Sequence, residues 1–260
     1  VLLKDKIIIV TGSTKGIGKG VALKIAEEGG IPVISGRAKE QLANELPKEF
    51  ESQGYKDLLY IPCDVSQEED VQNLFQTVYE KYGRIDGLCA NAGITDMCNF
   101  DEMTPERFDK MISINLRGVY LADWYAVKYF KKQGYGKIVN IGSDCSLEGW
   151  EFLSSYSAAK FGVRGLTQSL AKELGKYHIN VNCVCPGIID TDIWVTTDRL
   201  LGELNNKAIG ESWNEKVEAI PLRRGGKPED IGNGVVMLLS KYADYITGAS
   251  LPVGGGSAVN

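Results

Sequence analysis

The chain has 260 residues, 43% of them hydrophobic, with 29 Lys and Arg against 34 Asp and Glu for a net charge of −5. That length and apolar content suffice for a sizeable core in one α/β domain, and the acidic balance argues against nucleic acid, whose binding rests on cations that neutralise phosphates. The six cysteines include no CxxC pair, and the single histidine, His178, excludes a site of several His ligands and leaves a Ser-His-Asp hydrolase dependent on one residue. No metal centre is expected. Val1 to Lys6 lacks the charged start and long apolar stretch of a secretory signal, and no segment reaches the ~20 apolar residues of a membrane span. A cytoplasmic protein with reduced cysteines is expected.

The first apolar run, Ile7 to Thr11, reads as a strand buried on both faces. It leads straight into Thr11-Gly12-Ser13-Thr14-Lys15-Gly16-Ile17-Gly18 and a helix over Ile17 to Glu28. Further strands follow at Ile31 to Ser35, Leu58 to Pro62, Gly87 to Ala90, Lys137 to Ile141 and Asn180 to Cys185. Helical spacing runs over Glu68 to Tyr82, Phe108 to Lys132 and Ser155 to Tyr177. Such alternation predicts a doubly wound parallel sheet flanked by helices. No repeat or linker divides the chain, so one domain is expected over 1–260. The segment from about Asp192 to Pro221 is polar, holds Trp194 and Trp213, and interrupts the alternation; it is expected to form a substrate lid.

The strand, Gly-rich turn and helix together give the context of a dinucleotide-binding turn of the Rossmann fold, where glycines let the backbone approach a pyrophosphate at the helix N-terminus. Alone, such a turn is weak evidence. Tyr156 and Lys160 stand four residues apart, hence on one helix face, so an ammonium near the phenol is expected to pull its pKa from about 10 towards neutrality. A phenol so tuned can protonate a ketone oxygen or deprotonate an alcohol. An isolated pair at this spacing is more often an ordinary helix face, and a lone serine after a strand, such as Ser143, is usually a cap or turn residue.

Taken in order, these motifs resemble the classical short-chain dehydrogenases/reductases. The likeness runs from Gly12, Gly16 and Gly18, with Thr11 before them, through Cys63-Asp64-Val65, Asn91-Ala92-Gly93 and Asn115. It continues with Ser143, thirteen residues before Tyr156-Ser157-Ala158-Ala159-Lys160, and with Pro186-Gly187, Ile189 and Thr191 after the sixth strand. The resemblance implies an oxidoreductase interconverting a ketone and a secondary alcohol, with the hydride carried by nicotinamide. It implies Tyr156 as general acid/base, Lys160 lowering its pKa, Ser143 binding the substrate oxygen and Asn115 as a proton relay through water. The implied cofactor contacts are Gly12, Ser13, Thr14, Lys15, Gly16, Ile17, Gly18, Asp64, Val65, Asn91, Ala92, Gly93, Tyr156, Lys160, Pro186, Gly187, Ile189 and Thr191. A homotetramer is implied too, pairing through Phe108 to Lys132 and Ser155 to Tyr177, with a C-terminal strand making another contact.

NAD preference usually shows as an acidic residue at the end of the second strand, holding the ribose hydroxyls. Here that residue is Gly36, followed by Arg37, and Lys15 lies inside the glycine turn, so two cations can meet a 2′-phosphate. NADP(H) is therefore expected, with an NAD-preferring polyol or butanediol dehydrogenase as the alternative. Asp144 to Phe152 carries three carboxylates and no Lys or Arg, and Ile188 to Asp198 adds three aspartates without a cation. This charge disfavours phosphorylated or acyl-carrier substrates and suits a small neutral or cationic polar molecule. Expected substrate contacts are Ser143, Cys145, Trp150, Tyr156 and Trp194, with Phe152 as a further wall. Trp194 to Arg199 with Asn206 to Glu211 resembles acetoin reductases/2,3-butanediol dehydrogenases, and Tyr156 to Glu173 with Pro221 to Gly225 resembles sugar-alcohol dehydrogenases. Gly36 and Val253-Gly254-Gly255 depart from those patterns. A nucleotide-sugar epimerase would need a larger substrate domain, and a non-catalytic cofactor sensor on the same fold tends to lack the Asn-Ser-Tyr-Lys set.

Overall fold

The computed structural model describes residues 1–37, 40–55 and 58–258. Seven strands form one parallel sheet: β1 Ile7–Val10, β2 Ile31–Gly36, β3 Leu59–Pro62, β4 Gly87–Ala90, β5 Gly136–Ile141, β6 Ile179–Pro186 and β7 Ser250–Val253, in the spatial order β3-β2-β1-β4-β5-β6-β7. Nine α-helices lie among the described residues: α1 Gly16–Glu27, α2 Glu40–Ser52, α3 Glu68–Tyr82, α4 Pro105–Ile112, α5 Gly118–Gln133, α6 Ser154–Leu174, α7 Asp192–Asn205, α8 Glu211–Ala219 and α9 Pro228–Leu239. The arrangement is the single-domain, doubly wound Rossmann type.

Strand side chains alternate between the two faces, and each face is covered. Ile7, Ile9, Leu88, Ile138 and Val181 pack under Val71, Leu74 and Phe75 of α3, Ala122 and Phe130 of α5, and Val163 and Leu174 of α6. Ile8, Val10, Cys89, Val139 and Val184 pack under Val21 and Ile25 of α1 and Ile231, Val235 and Leu239 of α9. Burial on both sides is why these strands read as unbroken apolar runs. The helices α1 and α9 touch closely because Gly20 faces Pro228, where a Cβ would stand 2.4 Å from the proline Cβ.

The structure departs from the sequence reading in three places. The helix expected over Phe108 to Lys132 is three pieces, since a π-helical stretch, Ser113–Arg117, separates α4 from α5. The polar stretch from 192 to 221 is two helices, α7 and α8, with Trp194 and Trp213 edge to face at 5.7 Å. α2, which contains Pro47, and α9 lie where no helix is expected. β7 contains Pro252, which a parallel sheet tolerates at an edge, where one side of the strand has no neighbour to bond. No helix among the described residues is long and apolar enough to cross a membrane.

Candidate active site

The strand order reverses between β1 and β4, which leaves a crevice beyond their carboxyl ends. The two loops that border it are tied together. Thr11 Oγ1 accepts hydrogen bonds from the backbone N–H groups of Asn91 and Ala92 (3.0 and 3.1 Å), and Asn91 Nδ2 donates to the carbonyls of Thr11 and Gly12 (2.9 and 3.0 Å). Gly12 has φ +62°, and a Cβ there would lie 2.6 Å from Ala92 Cα, so only glycine fits. Gly18 is equally tight, with Gly12 O 2.4 Å from where its Cβ would be. These contacts hold the turn against the start of α1 and keep its backbone bare, as a cradle for a pyrophosphate requires.

A single cavity of about 950 Å³ runs from this turn to the first turns of α6. Gly12, Thr14, Lys15, Gly16, Ile17, Gly18, Gly36, Arg37, Asp64, Val65, Asn91, Ala92, Gly93, Pro186, Gly187, Ile189 and Thr191 line it, and so do Asn115, Ser143, Cys145, Trp150, Tyr156, Lys160 and Trp194. Ser13 is the exception among the expected contacts. It is fully buried, donates to Val10 O (2.6 Å) and accepts from Ser35 N (3.0 Å), so its side chain joins β1 to β2 instead of facing the cavity.

The Asn115, Ser143, Tyr156 and Lys160 side chains come from three separate segments. Asn115 sits in the π-helical stretch, where Oδ1 accepts from Ile94 N and Nδ2 donates to Ile94 O, both at 2.9 Å. Its amide thereby pins the chain just after Asn91-Ala92-Gly93. Ser143 caps a short helical turn at 144–146: its Oγ accepts from Cys145 N (3.2 Å), while Ser146 Oγ accepts from Ser143 N (3.1 Å). Tyr156 and Lys160 occupy one face of α6, with Nζ 5.6 Å from the phenol ring centre. Lys160 Nζ donates to Ile141 O at 2.8 Å, at the end of β5.

The electrostatics differ from the sequence expectation. Burial pushes the Tyr156 phenol above its ordinary value, the neighbouring Cys145 adds to the push, and the hydrogen bond with Ser143 opposes it. The ammonium expected to pull the phenol down is itself buried and lowered to about 8 by desolvation, and its hydrogen bond goes to a carbonyl. In the protein alone, burial sets the direction of the Tyr156 shift.

Beyond Tyr156 lies an apolar wall of Met97, Cys145, Leu153 and Leu201, joined by Trp150, Phe152, Trp194 and Leu204. Met97 carries no sequence signal. Leu201 does, since it stands seven residues after Trp194 and so on the same face of α7, but only once that segment is known to be helical. The charge reading also needs correction. Of the three aspartates at 190, 192 and 198, only Asp192 lines the cavity, where it pairs with Lys15 at 2.9 Å. Asp198 instead holds α7 to α8 by accepting from Gly210 N (2.6 Å) and Trp213 N (2.8 Å). Two cations also reach the cavity: Lys207, paired with Glu215, and Lys216, whose Nζ lies 4.9 Å over the Trp150 ring.

Comparison with known proteins agrees with this geometry. The family model described as short chain dehydrogenase matches residues 6–200. The chain belongs to the short chain dehydrogenase family. As a short chain dehydrogenase it is an oxidoreductase of CH–OH groups that uses a nicotinamide cofactor. It is 35% identical over 258 residues to an L-2,3-butanediol dehydrogenase of Corynebacterium glutamicum, covering 98% of this chain and 100% of that one. It is 35% identical over 254 residues to a diacetyl reductase, (S)-acetoin forming, of Staphylococcus epidermidis, covering 97% and 98%. Among solved structures, a levodione reductase matches with TM-score 0.91 and 33% identity over 99% of this chain and 100% of that chain.

Proposed function

We propose that this short chain dehydrogenase is an NADP(H)-dependent enzyme that interconverts a small polar ketone and its secondary alcohol, of the acetoin/diol or ketose/polyol kind. The observation that carries the reading is the convergence of Ser143, Tyr156 and Lys160 on one cavity that continues into the bare Gly12–Gly18 turn. Relatives named for 2,3-butanediol and diacetyl support the substrate class.

Bound nicotinamide would supply or accept the hydride, and its cationic oxidised form would add the positive charge that phenolate formation requires. The chain's own groups handle the oxygen and the proton. Ser143 donates to the substrate oxygen as negative charge grows on it. Tyr156 gives its proton to that oxygen in reduction and takes it back in oxidation. Lys160 opposes the charge of a Tyr156 phenolate and holds the cofactor, and Asn115 relays the proton through water and Lys160. The apolar wall and the α7–α8 pair act as the lid, excluding water from the reacting atoms.

Preference for the 2′-phosphate rests on Gly36, Arg37 and Lys15. Gly36 offers no carboxylate to hold a bare ribose, and a Cβ there would stand 3.0 Å from Thr14 Cγ2. Arg37 and Lys15 both border the cavity. The pairing of Lys15 with Asp192 favours a second reading, an enzyme with weak discrimination that also accepts NAD, because it offsets one of the two cations. Assembly as a homotetramer is supported by exposed aromatics on α4, α5 and α6: Phe108, Tyr120, Trp124 and Phe161 are each about two-fifths accessible. Six free, buried cysteines suit a cytoplasmic location.

Steady-state kinetics with diacetyl, acetoin, ketoses, polyols and amino ketones, each with NADPH/NADP and NADH/NAD, test the reading. The expected result is turnover of a small ketone with kcat/KM at least about tenfold higher for NADPH, a ratio that collapses in Arg37→Gln with Lys15→Gln. Equal efficiency with both cofactors in the wild type would remove the NADP(H) assignment. Cofactor binding without turnover of any carbonyl would leave a sensor.

A further inference from the structure

The turn after β7, residues 254–257, meets three parts of the site at once. Ser257 Oγ donates a 2.8 Å hydrogen bond to Asp144 Oδ2, in the short helical turn that Ser143 caps. A Cβ on Gly187 would stand 2.7 Å from Ser257 Oγ and 2.8 Å from Gly254 Cα, so the turn lies flat on the loop after β6 that lines the cavity. Gly255 O accepts from Leu222 N (3.2 Å), just beyond the end of α8.

We propose that Ser257 is a positioning residue for the reaction: through its bond to Asp144 it holds the turn that aims the Ser143 hydroxyl at the substrate oxygen. The inference rests on the reading of Ser143 as the group that binds that oxygen.

A helical turn of three residues has too few hydrogen bonds of its own to hold its shape. Inside it, Ser143 Oγ accepts from Cys145 N and Ser146 Oγ accepts from Ser143 N. Its other supports come from outside. Cys183 and Cys185 of β6 press on its approach, with Sγ atoms 2.7 and 3.2 Å from where a Cβ on Gly142 would stand. Arg164 of α6 donates from Nη1 to Ser146 O (3.3 Å), at the end away from Ser143. Asp144 is the support next to Ser143. Ser257 is the one donor to its carboxyl among the described residues, since Oδ1 is buried without a partner and the residue is 2% exposed.

The charge of Asp144 makes that one bond matter. Burial displaces the carboxyl up to about 6, against the Ser257 bond and with Glu148 adding to the displacement, so at neutral pH Ser257 donates to a carboxylate. Without Ser257 both oxygens of a buried anion lack a donor, a state the interior does not tolerate, and the carboxylate swings towards water. Asp144 and Ser143 share a peptide bond, so that movement carries the Ser143 Oγ with it. Small misplacements of a group that meets the reacting atom cost rate more than affinity.

The test is a double-mutant cycle in kcat for ketone reduction over the wild type, Ser257→Ala, Ser143→Ala and the pair, with KM for the ketone and cofactor Kd measured on each. Ser257→Ala is expected to lower kcat about tenfold with cofactor Kd within about twofold of the wild type, and Ser257→Cys, a weaker donor of similar shape, to fall between. In the Ser143→Ala background the same substitution should change kcat by less than about twofold, because no hydroxyl is left to aim. A loss of general structural origin would instead carry over in full. Wild-type kcat in Ser257→Ala overturns the proposal, as does an equal loss in both backgrounds, or a weakening of cofactor binding that accounts for the whole effect. If Ser257→Ala does not fold, Ser257→Cys takes its place in the cycle under the same criteria. Wild-type turnover in Ser143→Ala brings down the reading of Ser143 itself, a separate failure.

Discussion

Replacing Lys160 with methionine removes a buried ammonium without emptying its space. Lys160 is 3% exposed, and desolvation brings it from an ordinary 10.5 to about 8. A base held below its unfolded value binds fewer protons folded than unfolded, so stability is lowest at neutral pH and rises through the window from about 8 to 10.5. The displacement corresponds to about 3 kcal/mol, most of which is recovered between roughly pH 7 and pH 10. Methionine carries no charge to desolvate but leaves Ile141 O without its 2.8 Å donor, a loss of about 1 kcal/mol. At neutral pH the variant is therefore expected to be about 2 kcal/mol more stable than the wild type, with that advantage gone near pH 10. The lost hydrogen bond does not depend on pH, so the change in the difference isolates the buried charge. Urea unfolding of both proteins at the two pH values, with linear extrapolation, measures it. A stability difference that is the same at both would mean that Lys160 titrates as an ordinary lysine, and the argument from burial fails. Turnover of the same variant should fall, since stability and activity pull apart at a site that holds a charge for function.

Asp123, 1% exposed on α5, is raised to about 8 by burial against a 3.0 Å hydrogen bond from Asn140. An acid held above its unfolded value binds more protons when folded, so its contribution is lost as pH rises from about 3.8 to 8. Asp123→Asn should thus raise Tm at pH ~7.5 and not at pH ~4, and equal shifts at both would contradict the buried-acid account. Gly12→Ala forces a Cβ to within 2.6 Å of Ala92 Cα at a φ of +62°; a loss of about 1–3 kcal/mol and at least tenfold weaker cofactor binding by fluorescence titration are expected. Trp194→Ala removes the partner of Trp213 and part of the apolar wall. Its KM for the ketone should rise about tenfold while kcat changes less, and an unchanged KM would put the substrate elsewhere.

Much of this protein is legible in its sequence because the informative features are local. Strands β1, β4, β5 and β6 are buried on both faces, so they read as apolar runs without reference to anything distant. The glycine turn follows its strand directly, and the spacing of Tyr156 and Lys160 is a property of one helix. These fix the fold type and the set of residues that gather at the crevice.

Tertiary structure decided whatever depends on neighbours remote in the chain. Ser13 turns inward because Ser35 and Val10, on two strands, take its hydroxyl. Asp198 locks α7 to α8 instead of facing substrate, and Lys15 meets an aspartate 177 residues away. The break that sets Asn115 against Ile94 lies inside a stretch whose hydrophobic spacing reads as one helix, because a π turn leaves the periodicity of its flanks almost unchanged. The direction in which Tyr156 is shifted is the clearest case. Sequence spacing brings Lys160 to its side, but whether an ammonium lowers a phenol depends on how far both are removed from water, and that is set by the packing of β5, β6 and α6 around them.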